Sequence, residues 1–201
     1  MSTEQLIDEI SILFVAGHET TSNGLSFTLF LLAKHPEVCE KIFEEIQQVE
    51  NEGASLIEKL KKLEYTKAVI DESMRLYPPA WITDRENLED DTVQEYHIKK
   101  ETLVGVSFYE LHRHPEYWEQ PEVFDPDRFL GENRKKTAHI YYPFGAGPRM
   151  CIGMGFAVYE MVLSIAYIVK RYKLSTPKED VGYNALITLK PVGAEVVFEA
   201  R

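Results

Sequence analysis

The sequence predicts a mainly α-helical domain with small β-sheets. Long apolar patterns of helical period recur at residues 3–34, 37–50, 65–77 and 155–172. Prolines stand just beyond the first and third of these. Only short stretches, 80–106 and the last twenty or so residues, alternate in the way strands do. The chain has 201 residues, 44% of them hydrophobic, so one packed domain over 1–201 is expected and disorder is not.

In order along the chain, Thr3 is expected to cap the first helix, with Glu4 and Asp8 at its positive end. Leu6, Ile7, Ile10, Ile12–Ala16 and Leu25–Leu32 cover most of its sides, the pattern of a buried central helix ending near His35-Pro36. Glu37 to Glu50 carries the stripe Val38, Ile42, Ile46, Val49, and Asn51-Glu52-Gly53 is expected to break it. A helix from Tyr65 to Tyr77 stops at Pro78-Pro79. Strand is expected from Ala80 to Val106, then a short helix over Ser107–Arg113. Residues 115–150 hold five prolines and little period; so long an irregular stretch in a compact domain is usually functional. Gly155–Tyr172 returns to helix, and Leu186–Leu189 with Glu195–Phe198 reads as a closing hairpin.

The formal charge is -11, which argues against a nucleic-acid partner. The apolar runs are shorter than the ~20 residues of a membrane span, so no membrane span is expected. Two cysteines far apart suggest a reducing compartment, and with no basic leader a soluble cytoplasmic protein is expected.

Three constellations can carry chemistry. In Phe144–Gly153, three glycines, Pro148 and Arg149 surround Cys151. Glycines let a flat ligand approach the backbone, and a nearby guanidinium and free amides favour an anionic sulfur, a nucleophile or metal ligand. No phosphate-loop spacing is present, and a zinc site lacks thiols, since Cys39 lies on the apolar stripe of its helix and reads as packing. His112 and His114 could ligate a metal, but local hydrogen bonding is the commoner role. In Ala16–Thr21, Glu19 and Thr20 sit within the apolar helix, where a carboxylate beside a hydroxyl suits a proton relay. Gly17 leaves room for a ligand or for local loosening of the helix. A polar kink satisfied by back-bonding to the previous turn is an equal alternative. Glu72 and Arg75, three apart, share one helix face and can pair.

In this order the three constellations resemble the cytochrome P450 family of haem-thiolate monooxygenases. Phe144, Gly147, Arg149, Cys151 and Gly153 meet its FxxGxRxCxG signature; Ala16, Gly17, Glu19, Thr20 and Thr21 meet AGxET[TS]; Glu72 and Arg75 meet ExxR. Phe124–Phe129 resembles the family's PERF-like segment, with Asp127 where Glu is commoner.

The resemblance implies the C-terminal half of the cytochrome P450 fold and haem b (iron protoporphyrin IX) as cofactor. It implies Cys151 as the metal ligand, and Arg149 and Arg85 toward the propionates. Phe144 would pack beside the sulfur, with Gly147 and Gly153 in the cofactor-binding loop. Glu19 and Thr20 would be catalytic, ordering water and delivering protons. Glu72, Arg75 and Arg128 would form a structural ion network. The implied reaction inserts one atom of O₂ into a lipophilic substrate of fatty-acid-like kind, using an external electron donor of ferredoxin or flavodoxin type. Substrate would meet Phe14–Glu19, Ala80–Thr83 and about Val181–Tyr183, and Arg134-Lys135-Lys136 would help dock the donor. Members of the family are about twice this long, so the first helix is expected to expose a large apolar face. The alternative is a haem-binding or non-catalytic fragment that needs a complementary half.

Overall fold

A 32-residue helix, α1 (Thr3–Lys34), organises the chain. The computed structural model describes residues 1–50 and 55–201. The cap of α1 is Ser2 and not Thr3. The extended backbone of Ser2 lets its hydroxyl accept from the Gln5 amide at 3.2 Å while the Gln5 side chain accepts from the Ser2 amide at 2.8 Å. The helix ends at His35, before Pro36, as expected.

α2 (Pro36–Glu50) buries the predicted stripe Val38, Ile42, Ile46 and Val49, together with Cys39. The predicted break at Asn51–Gly53 lies outside the described residues. A helix absent from the sequence reading follows, α3 (Leu56–Lys62), opened by a Ser55–Glu58 capping box. α4 (Glu64–Leu76) has no capping side chain of its own. Its first amides are taken by Glu45 of α2, which accepts from the Tyr65 amide at 2.6 Å and from the Thr66 amide at 2.9 Å.

β1 (Ile82–Glu86) pairs antiparallel with β4 (Leu103–Ser107), and the small ribbon of β2 (Asp91–Val93) and β3 (Tyr96–Ile98) lies between them in sequence. α5 (Phe108–Leu111) follows. The proline-rich stretch holds a 3-10 turn at Pro126–Phe129, then α6 (Gly131–Thr137), then a 3-10 turn at Gly147–Arg149. α7 (Met154–Arg171) runs into β5 (Tyr172–Ser175).

The closing hairpin is where the sequence reading fails. β6 (Gly182–Ala185) pairs with β7 (Leu189–Val192) across Leu186–Thr188, while β8 (Val197–Ala200) pairs with β5, setting Phe198 opposite the buried Leu174. Beyond β8, Arg201 donates to the Val169 carbonyl at 2.9 Å and to Glu40 at 3.0 Å, and its guanidinium lies 3.9 Å from the Phe43 ring centre. It thereby joins α7 to α2.

The main core is the second half of α1 with α2, α4 and α7: Leu32, Ile42, Val69, Ile70, Met74, Ile165 and Val169. α1 and α7 approach closely at Gly24, where an added Cβ would stand 3.1 Å from Met161. The expectation of burial along all of α1 holds only from Thr21 onward. Phe27 and Leu32 are 0% exposed, whereas Ile12, Leu13 and Phe14 are 62%, 60% and 71% exposed. The apolar face expected on this helix is therefore present, with Leu6, Ile7, Ile10 and Val15 also exposed.

These two environments predict opposite results for similar substitutions. Ile165→Ala in α7 should cost ~2–5 kcal/mol in denaturant unfolding. Ile12→Ser should leave stability within ~0.5 kcal/mol and reduce self-association seen by light scattering.

Candidate functional site

The site is built on a charge pair with no access to water. Glu72 and Arg75 lie on the buried face of α4, both 0% exposed. Arg75 donates from Nε and Nη2 to the two Glu72 oxygens at 2.7 and 2.9 Å. Its remaining N–H groups go to the carbonyls of His112, Pro121 and Val123 at 2.8, 2.7 and 3.2 Å. All five guanidinium donors are thus used, and the Trp118 ring lies 5.0 Å from Arg75 Cζ. Glu72 also accepts from the Asp125 amide at 2.9 Å, and Arg128 Nε stands 3.5 Å from it. Burial pushes the Glu72 carboxyl up, opposed by its bonds to Arg75.

This network reaches the cysteine loop through His112. Its ring Nε2 accepts from the Tyr142 amide at 2.9 Å. Tyr141, just before, donates its hydroxyl to the Asp71 carbonyl at 2.9 Å. The His112 ring is pushed down to about 3, first by burial and then by Arg75 and Arg113. His114 accepts locally from the Glu116 amide at 3.3 Å, so the two histidines do not converge as metal ligands.

The loop turns at Gly145 and Gly147, both at φ 72, a conformation that costs side-chain-bearing residues. The Cys151 amide donates back to the Phe144 carbonyl at 3.0 Å, closing the loop ahead of α7. Cys151 is left exposed, and Ile152 and Phe156 beside it are 93% and 76% exposed. Phe144 is half-buried against the main core. At Gly153 an added Cβ would lie 3.8 Å from Cys151 Sγ, an ordinary contact, so space alone does not demand glycine there. Arg149 is exposed and forms no ion pair among the described residues. Among the described residues, Arg85 on β1 donates only to the Thr83 hydroxyl and the Asp84 carbonyl, at 3.1 and 2.6 Å.

On α1 the hydroxyl of Thr20 donates to the Ala16 carbonyl at 2.7 Å. The helix runs unbroken through Gly17, around which a Cβ would meet nothing within 4 Å. The loosening allowed by the sequence is absent, and the open space beside Gly17 is exposed surface. Glu19 is half-buried. Two of the three expected substrate segments come together, Trp81 and Val181 packing in one apolar cluster; beside them Leu189 donates to the Pro79 carbonyl at 2.9 Å and Trp81 Nε1 to the Leu186 carbonyl at 2.8 Å. α1 joins them just beyond Thr20, through Asn23 to Thr188 at 3.1 Å and through Phe27 stacked on Tyr77 at 4.4 Å. The basic run on α6 is already engaged, Arg134 with Asp71 of α4 at 3.6 Å and Lys135 with Glu132 of its own helix at 2.7 Å. Cys39 is buried, as expected, and burial raises its thiol.

Sequence reasoning missed the Tyr141–Asp71 contact and the ring of His112 as the link to the loop. The only signal was a histidine and a tyrosine flanking the irregular stretch, without period.

Comparison with known proteins places these features in context. The Cytochrome P450 family model matches residues 1–197. Protein LUTEIN DEFICIENT 5, chloroplastic, of Arabidopsis thaliana is 39% identical over 176 residues, 86% of this chain and 30% of its own length. Cytochrome P450 3A6 of Oryctolagus cuniculus is 40% identical over 178 residues, 88% of this chain and 35% of its own length. The crystal structure of a cytochrome P450 (CYP102L1) superposes with a TM-score of 0.91 at 32% identity, covering 100% of this chain and 47% of the other. The chain therefore spans about a third of the length of these curated relatives and just under half of that solved chain.

The buried His112 carries a pH dependence. Its folded value of about 3 lies below the ~6.5 of an unfolded histidine. The unfolded state therefore binds more protons between these values, and stability falls as pH drops through that window. Its part is ~1.4 kcal/mol per pH unit below ~6.5. The loss of stability between pH 7 and pH 4.5 should be smaller in His112→Gln than in the parent, measured by urea unfolding at each pH.

Proposed function

The chain belongs to the cytochrome P450 family, and on that premise we propose that it is the haem-thiolate part of a monooxygenase. The observation that carries this reading is the exposed Cys151 thiol, presented by a loop turning on two positive-φ glycines and flanked by exposed apolar side chains and by an exposed Arg149 with no ion pair among the described residues. A soft sulfur donor, apolar surface and a free guanidinium fit a flat iron macrocycle bearing carboxylates, so iron protoporphyrin IX suits this donor set.

Cys151 would hold the iron, and Arg149 would take a propionate with a charge-assisted bond, with Arg85 available for the second. Phe144 would pack beside the sulfur, its carbonyl already holding the Cys151 amide. Gly147 and Gly153 keep the backbone free of bulk at the loop. When bound, the haem supplies the redox chemistry by which one atom of O₂ enters an organic molecule and the other leaves as water, using two electrons and two protons. Thr20 gives its hydrogen to Ala16, which leaves its oxygen lone pairs free to accept from water. Glu19, on the same turn, would hold and release the proton that Thr20 and that water pass on.

The substrate we propose is lipophilic and fatty-acid-like, because Trp81 and Val181 pack in one apolar cluster where the β6–β7 hairpin meets the Pro79–Trp81 segment, with the Tyr183 ring set against Tyr77 and Tyr109. The donor proposed is an acidic ferredoxin or flavodoxin-type protein docking near α6, where Lys135 and Lys136 are exposed. No helix among the described residues is long and apolar enough to cross a membrane. A cytoplasmic location is part of the proposal, on the acidic composition and two free cysteines. A second reading is favoured by the exposed turns of α1: haem is bound, but turnover waits for a complementary polypeptide covering Leu6–Val15.

Two measurements test the proposal. Protein loaded with haem, reduced and given carbon monoxide should show the strongly red-shifted Soret band of thiolate ligation; a spectrum unchanged in Cys151→Ser overturns the ligand assignment. Thr20→Ala should keep that band while diverting electrons from product to hydrogen peroxide. Unaltered coupling would remove Thr20 from the proton path, and absence of turnover in the parent would favour the second reading.

A further inference from the structure

We propose that His112 is a positioning residue, whose ring and backbone together tie the buried Glu72–Arg75 pair to the loop that presents Cys151. Its backbone carbonyl accepts from Arg75 at 2.8 Å, and its ring Nε2 accepts from the Tyr142 amide at 2.9 Å. From Tyr142 the connection continues through the loop's own backbone: the Gly145 amide donates to the Tyr142 carbonyl at 3.0 Å, and the Cys151 amide donates to the Phe144 carbonyl at 3.0 Å. One residue thus receives a bond from each side, one through its main chain and one through its side chain.

The ring is held for this task. It is 0% exposed and packed by Phe108, Trp118 and Tyr141, with ring centres 6.2, 6.4 and 5.3 Å away. Because Nε2 accepts, the neutral ring carries its proton on Nδ1, and Nδ1 is buried with no hydrogen-bond partner among the described residues. A buried donor left unpaired is costly, so this orientation persists because the Tyr142 amide would otherwise be the orphan. Burial and the cations Arg75 and Arg113 keep the ring neutral, so the acceptor is present throughout the physiological range. Tyr141 fixes the other side of the same junction on Asp71. The loop entry is therefore held at two adjacent residues, and its only side-chain acceptor for a backbone amide among the described residues is His112.

The spectral arm of the test rests on Cys151 being the haem ligand; the other arms do not. ¹⁵N resonances of the parent protein should report the neutral Nδ1–H tautomer at His112, and the Tyr142 amide should be protected from hydrogen exchange. An Nε2–H tautomer or an unprotected Tyr142 amide overturns the proposal without any variant. His112→Gln offers an acceptor near Nε2 and His112→Phe keeps the ring shape without one. Exchange at Tyr142, Gly145 and Cys151 should rise about tenfold (~1.4 kcal/mol) in the Phe variant relative to the Gln variant. Cys151, the exposed thiol of the two, should react with a maleimide at an altered rate only in the Phe variant. Equal behaviour of the two variants at matched global stability overturns the proposal, and if the Phe variant does not fold, His112→Met carries the same comparison. With haem bound, the Phe variant should broaden or shift the Soret band of the carbon monoxide complex, and Gln should restore it. If exchange behaves as expected but the parent shows no thiolate band, the ligand assignment fails and the positioning role stands.

Discussion

Everything between residues 112 and 125 depends on the guanidinium of Arg75. A cation taken wholly out of water is costly unless every donor finds a partner. Here the partners are one carboxylate and three backbone carbonyls from a stretch with no helix or strand of its own. The dependence is mutual. The carbonyl of the fully buried His112 would be unpaired without Arg75, and Arg75 could not stay buried without the three carbonyls. An irregular backbone is thereby held by side-chain chemistry in place of a ladder, and α4 becomes the fixed frame for the cysteine loop. Glu72 extends the same logic to the Asp125 amide and toward Arg128, so the 3-10 turn at Pro126–Phe129 is seated on the pair as well.

The long helices were legible because burial and period coincide in them. The stripe of α2 and the proline after α1 are local signals, and the structure follows both. α3 and α6 escaped because LIEKLKK and GENRKKT carry too few apolar residues to show a period; their ends are set by a capping box and by packing beside the 3-10 turn. The misread hairpin has a different cause. Val197–Ala200 has the same alternation whichever strand it joins, and only its register with Tyr172–Ser175 decides the matter. Periodicity says which face of a strand is apolar, and it is silent about the partner.

At the site the same division appears. Cys151 stood out because glycine and arginine crowd around it, and the positive φ at Gly145 and Gly147 is the physical content of that signal. Glu72 and Arg75 were visible as a spacing, yet their complete burial was not, since a surface pair three apart looks identical in sequence. What Arg75 binds could not be read at all: three of its five bonds end on carbonyls, which every residue has. His112 was seen only as one histidine of two. Its value lies in the direction in which its ring points.

The pairing of β8 with β5, and the reach of Arg201 to Val169, Glu40 and Phe43, give the fold a late closure. Chains emerge from the ribosome from the N-terminal side, and contacts between distant segments wait for the later one. α1, α2 and α4 can form and meet early, but the strip of α2 and α7 beside Phe43 stays uncovered until residues 197–201 have been made. For that interval it is a sticky surface in a crowded cell, added to the apolar turns of α1.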